Sequence, residues 1–328
     1  MYCIQISQKS HSLIWSDDLH PVPEPGPDQV RIRVHAAGIN RADLTQRDGL
    51  YPPPEGANGT LGLECSGVID AVGEKVSSFQ IDDTVCALLA GGGYSEYVCV
   101  PAVQVLPIPQ GFSFVQAAAI PEIYATVWQN IFMDAALKPG ENVLIHAGGS
   151  GVGTAAIQLC HTFGASVYTT LGDETKIPPC LDLGATHCFL RHEGSFKETV
   201  LAWTQNQGID VILDPVGADY LTDNLSLLKE DGRLCMIGAM GGMRAEIDLR
   251  HVLMKRLKIL GSMLRPRTPA YKQKVLQALL INVWPLFESK TISPVIDTVY
   301  PIEQAMEAFD HLASNRTLGK LVLRVRED

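Results

Sequence analysis

The stretch that decides the fold is VLIHAGGSGVG, residues 143–153. A short apolar run from Val143 to Ala147 ends in a glycine-rich turn, and a helical pattern follows as far as Phe163. A turn of this kind between a buried strand and a helix lets backbone N–H groups approach a pyrophosphate, which the helix N-terminus also favours electrostatically. The turn departs from a strict GxGxxG, and taken alone it could equally be an ordinary tight loop.

The sequence after this turn repeats the same rhythm of strand and helix. Strands are predicted at 166–171, 186–190, 209–214, 233–237 and 258–264, with helices towards Leu183, near 196–204 and near 221–228. Strands alternating with helices of this length are typical of a doubly wound parallel sheet. This context favours a nucleotide-binding turn over an ordinary loop.

The flanking regions differ from this central part. The first third is rich in proline and glycine, with short alternating runs such as 30–34, and it predicts a β-rich domain of short strands. After Pro269 a long helix to Phe287 is predicted, then strands at 295–300 and 321–325. Because this tail is too short to fold alone, we expect one domain of residues 1–121 and 268–328. A dinucleotide-binding domain, 122–267, interrupts it.

Composition excludes several classes of protein. The 328 residues are 46% hydrophobic and 19% charged, as in a globular protein with a sizeable core. A net charge of -10, with scattered lysines and arginines, argues against nucleic acid or anionic membrane as partner. The eight cysteines show no CxxC spacing, which favours a reducing, cytoplasmic compartment. No signal peptide and no membrane span are expected.

Motifs along the whole chain resemble medium-chain quinone oxidoreductases. They are NRAD (40–43), LGLE (61–64), AAAIPE (117–122), the turn with its helix (146–158) and GKLVL (319–323). The Ser-Gly-Val-Gly-Thr run and the segments 51–54 and 263–267 resemble the p53-inducible subgroup. The resemblance implies a GroES-like β-rich catalytic domain plus a Rossmann domain. It also implies hydride transfer from NADPH to a quinone.

Zinc ligands are not expected in this sequence. Alcohol dehydrogenases of the same superfamily place a cysteine where Asn40 stands and a histidine where Leu63 stands. Leu63 has no donor atom and Asn40 is a poor ligand. Without a Lewis acid, the acceptor must already be electrophilic, as a quinone or an activated alkene is. Chemistry would then rest mainly on orienting the nicotinamide against the acceptor.

Two residues are predicted to act on the substrate. The Tyr51 phenol could donate to an oxygen of the reduced quinone, or its ring could pack beside the prolines that follow. By resemblance, Asn40 lies near the nicotinamide, although it could instead cap a helix. Asp43 and Glu64, in the same motifs, are interpreted as structural.

The cofactor-binding residues follow partly from the turn and partly from the resemblance. They are Thr126, Gly149, Ser150, Gly151, Val152, Gly172, Lys176, Arg191, Gly238, Leu264 and Lys320. Thr126 is expected near the nicotinamide, although it could merely cap a helix.

The choice of NADPH rests on the end of the second strand of the parallel sheet. No acid stands at Leu171, where NAD-selective domains carry one. Lys176 and Arg191 could bind a 2′-phosphate, or they could be ordinary surface side chains. Asp173 and Glu174 put opposing negative charge in the same loop.

Two alternative functions stay open, and one assembly is predicted. The chain could be an NADPH-dependent alkenal or enone reductase, or a non-catalytic NADPH-binding protein of the crystallin-like or RNA-binding kind. The missing basic stripe disfavours RNA. The apolar segment 259–264 resembles the edge strand through which relatives pair, so a C2 homodimer is predicted.

Overall fold

A computed structural model describes residues 1–7, 12–16 and 20–327, and the chain forms two compact units. The first unit comprises residues 1–125 and 264–328, and the second comprises 126–263. Both boundaries lie four residues from the predicted ones, at 125/126 instead of 121/122 and at 263/264 instead of 267/268. Pro121 begins a helix that continues to Val127, so it marks no linker. Residues 8–11, 17–19 and 328 of the predicted first domain lie outside the described residues.

The described residues contain fifteen strands and eleven α-helices. The strands are β1 (Cys3–Ile6), β2 (Leu13–Ser16), β3 (Gln29–Gly38), β4 (Glu64–Val72), β5 (Thr84–Leu88), β6 (Tyr97–Pro101), β7 (Val105–Pro107), β8 (Asn142–Ile145), β9 (Ser166–Leu171), β10 (His187–Leu190), β11 (Ile209–Asp214), β12 (Leu228–Met236), β13 (Lys258–Gly261), β14 (Ile296–Pro301) and β15 (Lys320–Arg324). The α-helices are α1 (Arg41–Arg47), α2 (Phe114–Ala118), α3 (Pro121–Val127), α4 (Gly151–Thr162), α5 (Ile177–Asp182), α6 (Phe196–Trp203), α7 (Ala218–Leu227), α8 (Leu249–Met254), α9 (Pro269–Asn282), α10 (Trp284–Glu288) and α11 (Ala305–Ala313). Short 3₁₀ helices span Ala102–Gln104, Glu174–Lys176 and Ile302–Gln304, and a π-helix spans Trp128–Asp134.

The first unit is built on a seven-stranded sheet. Its strand order is β14-β15-β3-β4-β5-β7, with β6 also paired to β3. Strand β3 alternates as the sequence predicts, because Val30, Ile32 and Val34 are fully buried while the residues between them are only half-buried. The C-terminal β15 pairs antiparallel with β3, and Phe309 and Leu323 join the same core. The tail therefore completes the first domain.

The second unit is a six-stranded parallel sheet in the order β10-β9-β8-β11-β12-β13. This is the doubly wound order of dinucleotide-binding domains, in which the order of the strands reverses between the first and the fourth strand of the sheet. Here those strands are β8 and β11, which lie side by side. Ligands of such sheets bind outside the carboxyl ends of the strands at this point.

The structure corrects three predicted elements. The single helix expected from Pro269 to Phe287 is two helices, α9 and α10, because Pro285 stands in the first turn of α10 and has no N–H to continue α9. Strand β12 begins at Leu228, where the end of a helix was expected, and β13 ends at Gly261 instead of residue 264. Among the described residues, no helix is long and apolar enough to cross a membrane.

Candidate functional sites

Two glycines of the turn after β8, Gly148 and Gly153, stand where neighbouring atoms leave no room for a Cβ atom. A Cβ atom at Gly153 would lie 2.4 Å from the Ala147 carbonyl oxygen, and one at Gly148 would lie 1.9 Å from Thr169 Oγ1. Ala147 itself adopts the left-handed region, with φ of 56°. Ser150 caps α4, its Oγ accepting a hydrogen bond of 3.0 Å from the Gly153 N–H.

The predicted residues 149–152 therefore lie at the N-terminus of a twelve-residue helix. Such a helix end offers backbone N–H groups and a positive dipole end to an anion. The close backbone packing of this turn fits a pyrophosphate.

A buried hydrogen-bond network joins the carboxyl ends of β8 and β11. His146 Nδ1 lies 3.0 Å from Thr170 Oγ1, and its Nε2 lies 2.8 Å from Asn224 Oδ1. Asn224 in turn donates to Asp214, at 3.0 Å. Burial lowers the pKa of His146, which keeps the imidazole neutral.

Asp214 holds the loop that follows β11. Its carboxylate accepts hydrogen bonds from the backbone N–H groups of Val216 (2.6 Å) and Gly217 (3.1 Å). Gly238, after β12, brings its backbone close to this loop, since a Cβ there would lie 2.9 Å from the Pro215 carbonyl oxygen. Gly238 thus lies at the same edge of the sheet as the glycine-rich turn, where it was predicted to bind the cofactor.

The predicted phosphate-binding residues Gly172 and Arg191 directly follow the neighbouring strands β9 and β10. A Cβ atom at Gly172 would lie 3.3 Å from the Arg191 guanidinium carbon, so the guanidinium packs directly against the glycine backbone. His192, which the sequence analysis did not single out, places Nε2 2.6 Å from the Gly172 carbonyl oxygen. Arg191 is exposed, and it is therefore accessible to a ligand.

Two other residues of this loop differ from their predicted roles. Lys176 is only 8% exposed, so its position does not support the prediction that it reaches a cofactor phosphate, and it is not a solvated lysine either. The Asp173 carboxylate caps the short 3₁₀ helix, accepting from the Thr175 N–H (2.9 Å) and Oγ1 (2.7 Å). These hydrogen bonds lower the pKa of Asp173.

In the first unit, Asn40 is part of a buried charge network. Lys320 is 2% exposed, and its ammonium donates to Glu64 Oε1 (2.6 Å), Asn40 Oδ1 (2.7 Å) and the Ile39 carbonyl oxygen (2.6 Å). Asn40 Nδ2 donates to Glu64 Oε1, at 3.0 Å. All three ammonium donors of Lys320 are thus engaged within the first unit, and the predicted role of Lys320 in cofactor binding stays a prediction.

The alternative interpretation of Asn40 as a helix cap also describes its position. Asn40 precedes α1 and forms a capping box with Asp43, whose Oδ2 accepts from the Asn40 N–H at 2.8 Å. Asp43 is fully buried and also accepts from the Tyr94 hydroxyl, at 2.8 Å. Burial raises the pKa of Asp43 to about 6. Asp43 therefore fixes the loop around Asn40.

The same residues do not fit a zinc ion. Leu63 is 1% exposed and offers no donor atom, and the Asn40 oxygen already accepts from the Lys320 ammonium. Within residues 1–7, 12–16 and 20–327, no group of three or more His, Cys, Asp or Glu side chains is placed to hold a metal ion.

Tyr51 lies beside Arg265, in the same unit. The Arg265 guanidinium carbon is 5.2 Å from the centre of the Tyr51 ring, and Nη1 donates to the Tyr51 carbonyl oxygen at 3.3 Å. Arg265 also donates to Gln46 Oε1 (2.7 Å) and the Ala90 carbonyl oxygen (2.8 Å), which fixes the guanidinium. Burial and the nearby charge of Glu122 raise the pKa of Tyr51.

Glu122 and Lys272 were not among the predicted site residues. Glu122 stands in the quoted AAAIPE motif, and its N–H donates to Glu64 Oε2 at 2.8 Å. Lys272, on α9, is 2% exposed and interacts electrostatically with Glu122. A proline before an acid at a helix start signals Glu122 in the sequence, but nothing in the sequence distinguishes the buried Lys272 from the exposed Lys274 on the same helix.

For the two remaining predicted cofactor residues, Thr126 and Leu264, the structure gives no contact that indicates a role in cofactor binding. Thr126 lies in α3, and its carbonyl oxygen accepts from Asn130 Nδ2 at 2.8 Å. Leu264 is 6% exposed and belongs to the first unit. Their cofactor roles stay predictions.

Two family descriptions match the chain. "Alcohol dehydrogenase GroES-like domain" matches residues 26–110, and "Zinc-binding dehydrogenase" matches residues 151–280. A quinone oxidoreductase of Sus scrofa is 34% identical over 304 residues, which cover 92% of this chain and 91% of the relative.

Solved structures resemble the whole chain. An NAD-dependent alcohol dehydrogenase aligns with a TM-score of 0.87 at 31% identity, covering 99% of this chain and 100% of that one. An Escherichia coli quinone oxidoreductase complexed with NADPH aligns with a TM-score of 0.86 at 27% identity, covering 99% and 100%. The CurK enoyl reductase aligns with a TM-score of 0.86 at 27% identity, covering 98% of each chain.

A doubly wound sheet with a glycine-rich turn, joined to a GroES-like unit, defines a nicotinamide-dependent oxidoreductase acting on a small molecule. The chain belongs to the quinone oxidoreductase family of the medium-chain dehydrogenase/reductase superfamily.

Proposed function

We propose that this oxidoreductase transfers a hydride from NADPH to a quinone without a zinc ion. The observation that carries the proposal is the Asn40–Glu64–Lys320 network, in which an ammonium lies against the Asn40 oxygen and Leu63 offers no ligand. A site without a Lewis acid suits an acceptor that is already electrophilic. When bound, the reduced nicotinamide supplies the hydride.

The preference for NADPH over NADH rests on Arg191. Its guanidinium packs on the Gly172 backbone, next to His192, and Asp173 is engaged with Thr175. A guanidinium binds a phosphate through charge-assisted, bidentate hydrogen bonds. The NADPH complex of the Escherichia coli relative supports this cofactor, and the NAD-dependent alcohol dehydrogenase makes NADH its competitor.

Tyr51 is proposed to donate a hydrogen bond to the oxygen that becomes negative in the reduced acceptor. Its phenol is half-buried and its ring is fixed by Arg265. A positioned acid contributes about a hundredfold or more. Because water could substitute, Tyr51→Phe should lower turnover by less than this and leave NADPH binding unchanged. Unchanged turnover would assign Tyr51 to packing.

Reduction of an activated alkene is the second candidate function. The alignment with an enoyl reductase favours it, because that chemistry also adds a hydride to a conjugated carbonyl compound. The test is the rate of NADPH oxidation with a panel of quinones and a panel of enones, followed by the absorbance of the reduced nicotinamide. Faster turnover of the quinones supports the first function, and faster turnover of the enones replaces it with the second.

We further propose a homodimer in a reducing, cytoplasmic compartment. Strand β13 is the edge of its sheet, and Ile259 on it is 41% exposed, so a second copy could cover an apolar edge. All eight cysteines are free thiols, as a reducing compartment requires. Light scattering should give twice the 35.6 kDa chain mass, and the mass of a single chain would refute the dimer.

A further inference from the structure

Four buried side chains lie in sequence beneath the carboxyl ends of β8, β9 and β11, and we call them the His146 network. Asp214 contacts Asn224 at 3.0 Å, and Asn224 contacts His146 at 2.8 Å. His146 contacts Thr170 at 3.0 Å, and each of the four residues is at most 4% exposed. Groups this deeply buried depend on one another for their hydrogen bonds.

The carboxylate of Asp214 sets the direction of the hydrogen bonds at one end of the network. Its Oδ1 accepts from the backbone N–H groups of Val216 (2.6 Å) and Gly217 (3.1 Å), and its Oδ2 accepts from Asn224 Nδ2 (3.0 Å). Both oxygens act as acceptors, as those of an ionised carboxylate do. The Asn224 amide therefore presents its nitrogen to Asp214 and its oxygen to His146.

The orientation of Asn224 determines which nitrogen of His146 carries the proton. Burial lowers the pKa of His146, so the imidazole is neutral, and the rings of Phe196 and Tyr220 lie with their centres 5.0 and 4.7 Å from it. An amide oxygen only accepts, which requires a proton on Nε2. Nδ1 is then an acceptor, and the Thr170 hydroxyl donates to it.

The other end of the network reaches the glycine-rich turn. The Thr170 hydroxyl gives its one proton to His146, so its lone pairs remain for the Ala147 N–H, 3.4 Å away. Ala147 has a φ of 56°, a conformation that a residue with a Cβ atom keeps only when its surroundings hold it. The Thr170 carbonyl oxygen also accepts from the Gly148 N–H, at 3.0 Å. Thr170 therefore holds the first two residues of the turn.

We propose that Asp214 is a positioning residue for the cofactor and acts at a distance on the glycine-rich turn. Through the Asn224 amide it selects the Nε2–H tautomer of His146. That tautomer draws the proton of the Thr170 hydroxyl away from the Ala147 N–H, and the turn keeps the conformation that receives a pyrophosphate. This role rests on the proposed function, in which the turn binds NADPH. One carboxylate thus sets both the loop after β11 and the turn after β8.

The decisive variant is Asp214→Asn, which reverses the hydrogen bonds of the network. Its amide oxygen can still accept from the two N–H groups of the loop, and its nitrogen then donates to Asn224. The Asn224 amide must turn over and donate to His146, so the imidazole proton moves to Nδ1. The Thr170 hydroxyl then accepts from His146, and its own proton has no acceptor in the network. Nitrogen NMR of protein labelled at its histidine rings distinguishes the two tautomers, and His146→Gln assigns the signal.

We expect the Nε2–H tautomer in the wild type and the Nδ1–H tautomer in Asp214→Asn. The NADPH dissociation constant should rise by about threefold to tenfold in this variant, as for the loss of one neutral hydrogen bond. A merely structural role of Asp214 would weaken binding without moving the His146 proton. A wild-type ring that carries its proton on Nδ1, or two protons, would overturn the proposal. A reversed tautomer with unchanged NADPH binding would overturn it as well.

Variants of Thr170 test the other end of the network without changing Asp214. Thr170→Val removes the hydroxyl, so NADPH binding should weaken by about threefold to tenfold, and Thr170→Ser should restore it. Thr204→Val is the matched control, because Thr204 is also buried in this unit and lies at the amino end of β11. Its hydroxyl likewise donates, to the Val200 carbonyl oxygen (2.8 Å), and accepts, from the Gly208 N–H (3.2 Å). Thr204→Val should leave the dissociation constant unchanged, and equal weakening by the two valine variants would overturn the role of Thr170.

The wild type separates this proposal from the proposed function, because the tautomer of His146 is measured without a cofactor. A wild type that binds neither NADPH nor NADH would overturn the proposed function. Normal NADPH binding and quinone reduction by the wild type, together with an unchanged tautomer in Asp214→Asn, would overturn the positioning role alone.

Discussion

The two units present their candidate functional groups in opposite ways. In residues 126–263 the groups are mainly backbone, at the ends of β8, β11 and β12, and glycines make the close approach possible. In the other unit they are charged side chains from distant segments, of which Asn40, Glu64 and Lys320 are an example. A site made of backbone groups can be recognised from a short run of sequence. A buried charge network joins residues that are distant in the sequence, so only the folded structure shows it.

The largest effect on cofactor binding is expected at the glycine-rich turn, where the backbone packing is tightest. In Gly153→Ala the new methyl group would meet the carbonyl oxygens of Ala147 and Gly148 at 2.4 and 2.5 Å, and backbone cannot give way as a flexible side chain does. NADPH binding should weaken by about two decades, which corresponds to about 2.7 kcal/mol. Fluorescence quenching measures the dissociation constant. Gly59→Ala, where no heavy atom lies within 4 Å, is the control.

Breaking the Asn40–Glu64–Lys320 network should lower the stability of the protein. Lys320→Met leaves the Glu64 carboxylate buried without its cation, so the free energy of unfolding should fall by about 3–5 kcal/mol. Urea denaturation measures the change. The exposed pair of Arg250 and Asp248 is the comparison, and Arg250→Ala should leave the transition midpoint unchanged. Equal effects of the two variants would mean that burial does not distinguish them.

These two variants also show what sequence can and cannot predict. The strand–helix rhythm and the glycine-rich turn are local patterns, and the doubly wound sheet was predicted from them correctly. The burial of Lys176 and Lys320 could not be predicted, because burial is a tertiary property and no local pattern marks these two lysines as buried. Glu122 was visible as a motif residue, yet its neighbour Lys272 comes from a segment 150 residues later in the chain. No periodic pattern in the sequence indicates that these two residues lie close together in the fold.

A smaller effect on cofactor binding is expected at Arg191, beside the end of β9. Arg191→Ala should weaken NADPH by about tenfold or more, because a hydrogen bond to a charged group contributes roughly 1.5–3 kcal/mol, and it should leave NADH nearly unaltered. Asp173→Ser should tighten NADPH by removing a repulsive carboxylate. Dissociation constants of both cofactors for the wild type and the two variants test this. Equal weakening of both cofactors by Arg191→Ala would contradict the assignment of a phosphate site.

A further effect concerns the pH dependence of stability. The pKa of Glu122 rises from 4.5 to about 8, so the folded state binds more protons than the unfolded state between these values. Stability from this group is therefore complete below pH 4.5 and is lost as pH rises to about 8. Asp43 behaves in the same way between 3.8 and about 6.

Glu122→Gln removes the pH dependence of stability that Glu122 contributes and keeps the contribution of Asp43. Relative to the wild type, the variant should gain stability steadily as pH rises from 4.5 to about 8, as followed by urea denaturation at several pH values. A stability difference that does not change with pH would show that Glu122 ionises normally.

The central proposal is that an ammonium and a carboxylate in the first unit stand where zinc-dependent alcohol dehydrogenases of the superfamily bind their metal. Its most direct test is metal analysis of the purified protein, combined with NADPH-dependent quinone reduction before and after treatment with a zinc chelator. The account predicts no stoichiometric zinc and an unchanged rate. One zinc ion per chain, or loss of activity on chelation, would contradict it.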